Sequence, residues 1–381
     1  MLRKILTFFQ KETVLSISAI LAILSMFIVH PSGKYLSYID FRTLSLLFCL
    51  MSIVAGLSEI GLFDYLAEKI LSRANSIKSI IVLLVLLCFF FSMIITNDVA
   101  LITFVPLAII ILKKMSEKQK NYWILRTVVM QTIAANLGSM LTPIGNPQNL
   151  YLYARANMSA LALIRLMLPY SIAALVLLLV WIQIAAHREP GSTTENHISE
   201  LFSIHKTKAP NQTSLIGYLI LFLICLLVVA HIIDYRISFI LVIGYIFFKN
   251  WHLFKKVDYS LLLTFTALFI FIGNLKCIPQ FNHFLISIID GHETLTAILS
   301  SQIISNVPAA ILLSGFTKNY SALIIGTNIG GLGTLIASMA SLISFKYIAK
   351  EKTTLRGKYF MVFTIANIVF LILLLLCINL L

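Results

Sequence analysis

The sequence predicts an all-α polytopic membrane protein, built as an inverted repeat with two re-entrant hairpins and two broken transmembrane helices. Three observations predict this fold. Of the 381 residues, 59% are hydrophobic and only 12% are charged, which is typical of chains that cross a membrane many times. Short runs of glycine, proline and amides interrupt the apolar segments. These interruptions occur in two pairs, in the same order along the chain.

The longer interruption of each half is a helix break. Residues 135–149 align without a gap with residues 327–341, displaced by 192 positions. In hydrocarbon every freed backbone N–H or C=O costs several kcal/mol, so breaks survive where they are buried in protein or line a polar cavity. The aligned pairs include Asn136 with Asn328, Gly138 with Gly330, Thr142 with Thr334 and Asn149 with Ser341.

A shorter interruption precedes each break. In the first half it begins Thr96-Asn97-Asp98, and in the second half it begins Ser305-Asn306. Duplicated, interrupted membrane segments are the best indication in a sequence of a secondary transporter's binding site.

The first repeat is expected to cover residues 1–186. Its hairpin is assigned because about 35 apolar residues are too few for two spans of ~20 residues and a loop. In order, the expected elements are spans at about 14–29 and 41–57, an amphipathic interfacial segment at 58–76, the hairpin at 77–112, a broken helix at 122–154 and a span at 164–186.

A cytoplasmic linker at 187–212 is expected to lead into a second, inverted repeat at 213–381. Five crossings separate the two hairpins, so the hairpins enter from opposite sides. Basic loops favour the cytoplasmic side, which predicts a cytoplasmic N-terminus and an external C-terminus. The expected elements are spans at 214–233, 237–253 and 259–273, an interfacial segment at 274–290, a hairpin at 293–317, a broken helix at 320–348 and a last span at 359–378.

The net charge of +14 comes from 29 Lys and Arg against 15 Asp and Glu. The basic residues cluster in short loops, which is typical of the cytoplasmic loops of a membrane protein. The positive charge is therefore explained without a nucleic-acid partner, and none is expected. The five cysteines include no CxxC pair, so no transition-metal site is expected.

The short interruptions carry the oxygen ligands that alkali cations prefer. Thr96, Asn97, Ser305 and Asn306 supply hydroxyl and amide oxygens, and the N-termini of the half-helices favour anions. The small residues Gly145 and Ala337 leave room for close approach of the backbone. The alternative for any one amide is a hydrogen bond between helices.

Asp98 is a candidate coupling residue because an ionisable group inside a membrane is expensive. It would carry a proton or neutralise a bound cation. The alternative is that it caps the following half-helix. Glu59 and Lys276 occupy equivalent positions when Gly56 is aligned with Gly273, and they either extend to opposite interfaces or act in gating.

The motifs resemble those of the ion transporter superfamily over nearly the whole chain. Asp98 follows Asn97 where dicarboxylate symporters have Ser-Asn-Thr, and Val307 stands where they have Thr. The chain therefore looks closest to the arsenite-permease-like and uncharacterised bacterial branches. The motifs are Thr96-Asn97-Asp98-Val99-Ala100-Leu101, Thr142-Pro143-Ile144-Gly145-Asn146-Pro147-Gln148-Asn149, Ser305-Asn306-Val307-Pro308-Ala309 and Gly326-Thr327-Asn328-Ile329-Gly330.

This resemblance implies an elevator-type transport cycle and a homodimer. By position, Asn97 and Gly145 would frame one cation site, and Asn306 and Ala337 would frame another, joined by Thr96, Asp98 and Ser305. The residues expected to face the substrate are Asn97, Asn146, Pro147, Asn149, Asn306, Ser338 and Met339.

The expected function is secondary active transport of a small inorganic or carboxylate anion, or an oxyanion, across a bacterial-type inner membrane. The coupling ion would be Na⁺ or H⁺, with no other cofactor. The alternatives are an Na⁺/H⁺ antiporter or an arsenite-type efflux permease. An intramembrane enzyme or a channel is more distant, because the spans contain neither a metal-binding motif such as HExxH nor a filter motif.

Overall fold

The computed structural model describes residues 12–189, 208–351 and 355–380. Within these ranges the regular structure consists of α-helices and one 3₁₀ helix, Trp251–Lys256, with no strand. The coarse fold class predicted from the sequence, an all-helical chain with many apolar helices, is therefore confirmed.

The first half contains nine helices among its described residues. They are α1 (Thr13–Met26), α2 (Tyr35–Tyr38), α3 (Phe41–Glu59), α4 (Leu62–Leu71), α5 (Ile77–Ile95), α6 (Asn97–Leu112), α7 (Glu117–Ser139), α8 (Pro147–Arg155) and α9 (Ala160–His187).

The second half follows the same order with an additional helix at its start. Its helices are α10 (Gln212–Val229), α11 (Tyr235–Asn250), α12 (Tyr259–Lys276), α13 (Pro279–Ile289), α14 (Glu293–Ile304), α15 (Asn306–Leu313), α16 (Tyr320–Ile329), α17 (Met339–Glu351) and α18 (Leu355–Leu380).

Several helices begin where a side chain satisfies a free N–H group. Asp40 accepts from the Thr43 N–H before α3, at 3.0 Å, and Asp258 accepts from the Leu261 N–H before α12, at 3.0 Å. Each cap supplies an acceptor that the helix itself lacks in its first turn.

Seven helices in the described ranges are long and apolar enough to cross a membrane. One of them is α5, with 19 residues, so the length argument for a re-entrant first hairpin does not suffice by itself. The other arm of that hairpin, α6, is a shorter apolar helix.

Most expected boundaries agree with the helices to within a few residues. The larger differences are that α7 begins at Glu117, before the expected start at 122, and that α12 continues to Lys276. The expected interfacial segment at 274–290 is thereby reduced to α13. Of the expected linker at 187–212, residues 190–207 lie outside the described part of the chain. So do the basic residues Arg3, Lys4 and Lys11 and the loop residues 352–354.

The helices pack as two groups. In one group α1 packs along α12, and α11 packs along α3 with α10 beside it. In the other, α5 and α6 pack on α7, α14 packs on α16, and α17 packs against α6. The tips and breaks therefore lie in the second group, beside the wall that α3 and α12 form.

Glu59 at the end of α3 is paired across the first group. Its carboxylate accepts from the Lys256 Nζ at 2.6 Å and lies 2.6 Å from the His252 Nε2. The pairing joins α3 to the 3₁₀ helix, so Glu59 has specific partners and does not simply extend into solvent.

Glycine is required where α7 crosses α5. A Cβ atom on Gly138 would stand 2.1 Å from the Phe89 carbonyl oxygen, and one on the aligned Gly330 would stand 2.9 Å from the Ile298 Cα. Both contacts are with backbone, which cannot move aside as a flexible side chain would. The two broken helices are thus held against their hairpins by equivalent close approaches.

We expect Gly138→Ala to destabilise the protein by ~1–3 kcal/mol, because the added methyl group overpacks a rigid backbone contact. The measurement is thermal unfolding of the purified protein in detergent. Gly244→Ala on α11 is the control, since a Cβ there meets nothing within 4 Å and alanine is the better helix former. Equal unfolding temperatures for the two variants would contradict the close-approach argument.

Candidate functional site

The two hairpin tips have the same backbone conformation. Thr96 between α5 and α6 has φ 75° and ψ 151°, and Ser305 between α14 and α15 has φ 75° and ψ 152°. Residues other than glycine adopt this region at a cost of roughly 1–3 kcal/mol, and such residues cluster at functional sites. The shared conformation therefore marks both tips as candidates for a site.

Each tip is hydrogen-bonded to the helix break of its own half. The Asn97 N–H donates to the Gly145 carbonyl at 3.1 Å, and the Asn306 N–H donates to the Ala337 carbonyl at 2.9 Å. The expectation of close backbone approach at Gly145 and Ala337 thus corresponds to a specific contact in both halves.

The breaks separate helices that begin and end at equivalent places. In the first half α7 ends at Ser139 and α8 begins at Pro147, and Asn146 caps α8 by accepting from the Asn149 N–H at 3.0 Å. In the second half α16 ends at Ile329 and α17 begins at Met339.

The two breaks meet in reciprocal hydrogen bonds. The Asn146 Nδ2 donates to the Asn328 Oδ1 at 3.0 Å, and the Ser338 Oγ donates to the Asn136 Oδ1 at 3.0 Å. Asn146 and Ser338 are aligned positions, as are Asn136 and Asn328. Each half therefore donates to the other half from the same position of its break. Asn97 from the first tip joins this network, since its Nδ2 donates to the Asn136 Oδ1 at 3.2 Å.

A small cavity of about 10 Å³ lies where the tips and breaks meet. It has room for about one water molecule. The polar lining comes from both halves, and most of the residues expected to face the substrate contribute to it. The lining residues are Asn97, Asp98, Pro147, Gln148, Leu261, Asn306, Val307, Ser338 and Met339.

A cleft of about 920 Å³ adjoins the small cavity. Asp98, Pro147, Leu261 and Met339 line both spaces, so the first tip, the breaks and α12 form their common boundary. Thr96 and Asn146 line the cleft but not the small cavity. A volume of this size accommodates a small organic anion, whereas the inner cavity does not.

Asp98 lies in the first turn of α6 and is not its N-cap. The helix begins at Asn97 after the unusual backbone at Thr96, and the Asp98 N–H donates to the Asn97 Oδ1 at 2.9 Å. The Asp98 Oδ1 is buried and has no hydrogen-bond partner among the described residues. Asp98 and Asp258 both line the cleft described above, and the residue aligned with Asp98 in the second half is Val307.

Asn149 does not line the small cavity. Its Nδ2 donates to the carbonyls of Met140 at 3.0 Å and Thr142 at 3.2 Å, and its Oδ1 accepts from the Asn328 Nδ2 at 2.5 Å. The structure therefore places Asn149 behind the break loop, where it holds the loop together.

Sequence reasoning missed several residues around the site. Gln148 and Leu261 line the cavity, and Ser92 and Ser301 are buried beside Gly138 and Gly330. The two serines each stand four residues before a tip residue, and that shared spacing was the signal in the sequence. Leu261 belongs to α12, a separate span, and nothing in its neighbourhood along the chain marks it.

The site offers oxygen atoms and amide donors. Within residues 12–189, 208–351 and 355–380, no three His, Cys, Asp or Glu side chains lie together as a metal ion would require. Carbonyl, amide and hydroxyl oxygens are the ligands that an alkali cation prefers, and amide N–H groups at helix N-termini suit an anion.

Comparison with known proteins relates the chain to membrane transporters. Residues 5–322 match the family model described as Citrate transporter. An uncharacterized transporter of Methanocaldococcus jannaschii is 34% identical over 332 residues, which are 87% of each chain. Inner membrane protein YbiR of Escherichia coli is 32% identical over 332 residues, 85% of this chain and 84% of YbiR.

A more local similarity extends to the human P protein. It is 30% identical over 148 residues, which are 38% of this chain and 17% of the P protein. The extent of the family match, together with seven candidate spans, identifies a multi-span membrane transporter. The chain belongs to the citrate transporter family of the ion transporter superfamily.

Proposed function

We propose that the chain is a secondary active transporter that moves a small anion or oxyanion across the inner membrane, coupled to Na⁺ or H⁺. The observation that carries the proposal is the pair of reciprocal hydrogen bonds from Asn146 to Asn328 and from Ser338 to Asn136. They join two broken helices from different halves around one small polar cavity.

The two halves are proposed to be inverted repeats, residues 1–186 and 213–381, joined by a cytoplasmic linker at 187–212. The matching tip conformations and tip-to-break hydrogen bonds support this division. The tips bond to breaks in the interior of α7–α8 and α16–α17, which supports hairpins that turn back within the membrane. The length of the apolar segment does not by itself support a re-entrant hairpin, because α5 alone is long enough to span the membrane. The tip-to-break hydrogen bonds do support it.

The proposed cation sites are one per half. Thr96, Asn97 and the Gly145 carbonyl would hold an ion in the first, with Asp98 in the adjacent turn. Ser305, Asn306 and the Ala337 carbonyl would hold an ion in the second. The proximity of these oxygens at each tip supports the assignment, because unwound carbonyls and half-helix ends coordinate Na⁺ in such folds.

The substrate is proposed to enter from the cleft and bind between the tips, where the small cavity of about 10 Å³ would have to widen to admit it. Asn97 and Asn306 lie in the first turns of α6 and α15, and Asn146 and Ser338 stand just before α8 and α17. Four half-helix N-termini thus surround one space, and their dipoles favour an anion. Pro147 and Met339 supply the apolar part of the lining, and Asn149 supports this surface from behind.

The cleft supports an elevator-type cycle in which the tips and breaks move against α3 and α12. One wall of the cleft belongs to these helices and α1, and the other belongs to α6, α8 and α17. Lys256 and Lys346 line the cleft, and a basic rim favours the cytoplasmic side. We propose an inward-open state with the N-terminus cytoplasmic and the C-terminus external, in a homodimer within the lipid.

Cation/proton exchange is the second candidate. The buried Asp98 Oδ1 without a hydrogen-bond partner favours it, because a carboxylate beside an anion site needs a proton or a cation for charge balance. An arsenite-type efflux permease would use the same residues. A pH gradient imposed without an anionic substrate distinguishes exchange from anion transport.

Asn97→Ala and Asn306→Ala are expected to lower ion-coupled uptake at least tenfold, because each removes an oxygen ligand and an amide donor from the proposed site. Uptake is measured in proteoliposomes with carboxylates, sulfate, phosphate and arsenite under separate Na⁺ and pH gradients. Asn282→Ala on α13 is the control. Undiminished uptake by both site variants would refute the assignment.

Asp98→Asn is expected to abolish pH-driven transport if Asp98 carries the coupling proton, because an amide of the same shape cannot titrate. The measurement is flux against an imposed pH gradient. Asp64→Asn on α4 is the control, because it makes the same substitution at an exposed carboxylate away from the tips. An unchanged pH response in Asp98→Asn excludes this residue as the proton carrier.

In a Leu342→Cys variant, the new cysteine is expected to react with a membrane-impermeant maleimide only from the cytoplasmic side. The reason is that Leu342 lines the cleft, which is proposed to open to the cytoplasm. The native cysteines are replaced, and inside-out vesicles are compared with right-side-out vesicles. A variant that keeps only Cys277, which is exposed at the end of α12, should react from the opposite side. Labelling of both cysteines from one side would contradict the proposed orientation.

A further inference from the structure

The two break loops are held by different side chains. In the first loop, residues 140–146, the Asn149 Nδ2 donates to the carbonyls of Met140 and Thr142. Asn149 belongs to α8, the helix that continues from the loop. These two hydrogen bonds therefore stay within the broken helix and do not reach the hairpin.

The second loop, residues 330–338, is bonded by a side chain of the hairpin itself. The Gln302 Nε2 on α14 donates to the carbonyls of Gly330 at 2.8 Å and Leu332 at 2.9 Å. Its Oε1 accepts from the Thr334 N–H at 3.0 Å. One side chain thus satisfies three backbone groups that the helix break leaves free.

Met93 occupies the position of Gln302 in the first half, since each stands three residues before its tip residue. The main-chain contact is kept: the Thr142 Oγ1 donates to the Met93 carbonyl, as the Thr334 Oγ1 donates to the Gln302 carbonyl. A thioether carries no donor. The second half therefore has three hairpin-to-loop hydrogen bonds that a methionine cannot make.

Ser341 aligns with Asn149 and is too short to replace it. The Asn328 Nδ2 donates to the Asn149 Oδ1. By alignment, the corresponding pair of atoms is the Asn136 Nδ2 and the Ser341 Oγ. Both are buried and lack a hydrogen-bond partner within the described part of the chain. The second half has no equivalent of the Asn149 bonds, and Gln302 supplies bonds to its loop instead.

We propose that Gln302 is a positioning residue that clamps the second break loop to the second hairpin. The second tip then keeps its geometry without a bound ion, so ion binding orders chiefly the first tip. The clamp rests on the hydrogen bonds alone, whereas the consequence for ion binding rests on the proposed function.

The test is hydrogen–deuterium exchange on the full-length protein in nanodiscs. We expect Gln302→Met to exchange the Thr334 amide about tenfold faster, since that amide loses its acceptor. Residues 140–146 should be unaffected.

Gln119→Met is the matched control, because Gln119 donates to Glu189 far from either loop. Unchanged exchange at Thr334 in Gln302→Met would overturn the clamp. If Gln302→Met does not fold, Gln302→Glu removes the donor to the Gly330 and Leu332 carbonyls. It should speed exchange in residues 330–338 except at Thr334, whose N–H keeps a carboxylate oxygen as acceptor.

The ion dependence is measured on the wild-type protein with Na⁺ or with choline in its place. We expect Na⁺ to protect residues 140–146 and the first tip, with little change at 330–338. An equal response of both loops would overturn the asymmetry. A response in neither loop would overturn the ion assignment together with Na⁺ coupling, while the Gln302 variants would still decide the clamp.

Discussion

The structure depends on satisfying backbone polar groups in a medium that offers them no water. Each break in α7–α8 and α16–α17 frees N–H and C=O groups that hydrocarbon would leave unpaired, at several kcal/mol each. Amide side chains satisfy these free backbone groups, because one amide can both donate and accept hydrogen bonds. Asn149 and Gln302 donate hydrogen bonds to carbonyls of the break loops. Asn146 caps α8 and also donates to Asn328 of the other half. The polar site therefore arises from the same bonds that make the breaks tolerable.

Much of the fold was predictable because its determinants are local. Apolar runs set the helices, and glycine, proline and amides at 135–149 and 327–341 set the breaks, so most boundaries agreed to within a few residues. The prediction was less accurate where a backbone conformation decided the outcome. At Thr96 the positive φ starts α6 at Asn97, which moves Asp98 out of the capping position.

The site was predictable as a set of motifs but not as a set of contacts. Asn97, Pro147, Asn306, Ser338 and Met339 all line the small cavity, and their contact with a substrate stays a prediction. The contribution of Gln302 was hidden, because its partners lie about thirty residues away and a glutamine inside an apolar helix carries no signal of its own. Leu261 was hidden for a similar reason, since only the packing of α12 brings it to the cavity.

The backbone at Thr96 and Ser305 has a mechanical consequence. Both residues hold a conformation that an L side chain disfavours, and each is held by the hydrogen bond from the following N–H group to a break carbonyl. Losing that bond would allow the turn to relax toward an easier geometry, and the sharp corner would be lost. The corner at each tip is therefore kept in place by its own break, so a displacement of the break loop would be transmitted directly to the hairpin.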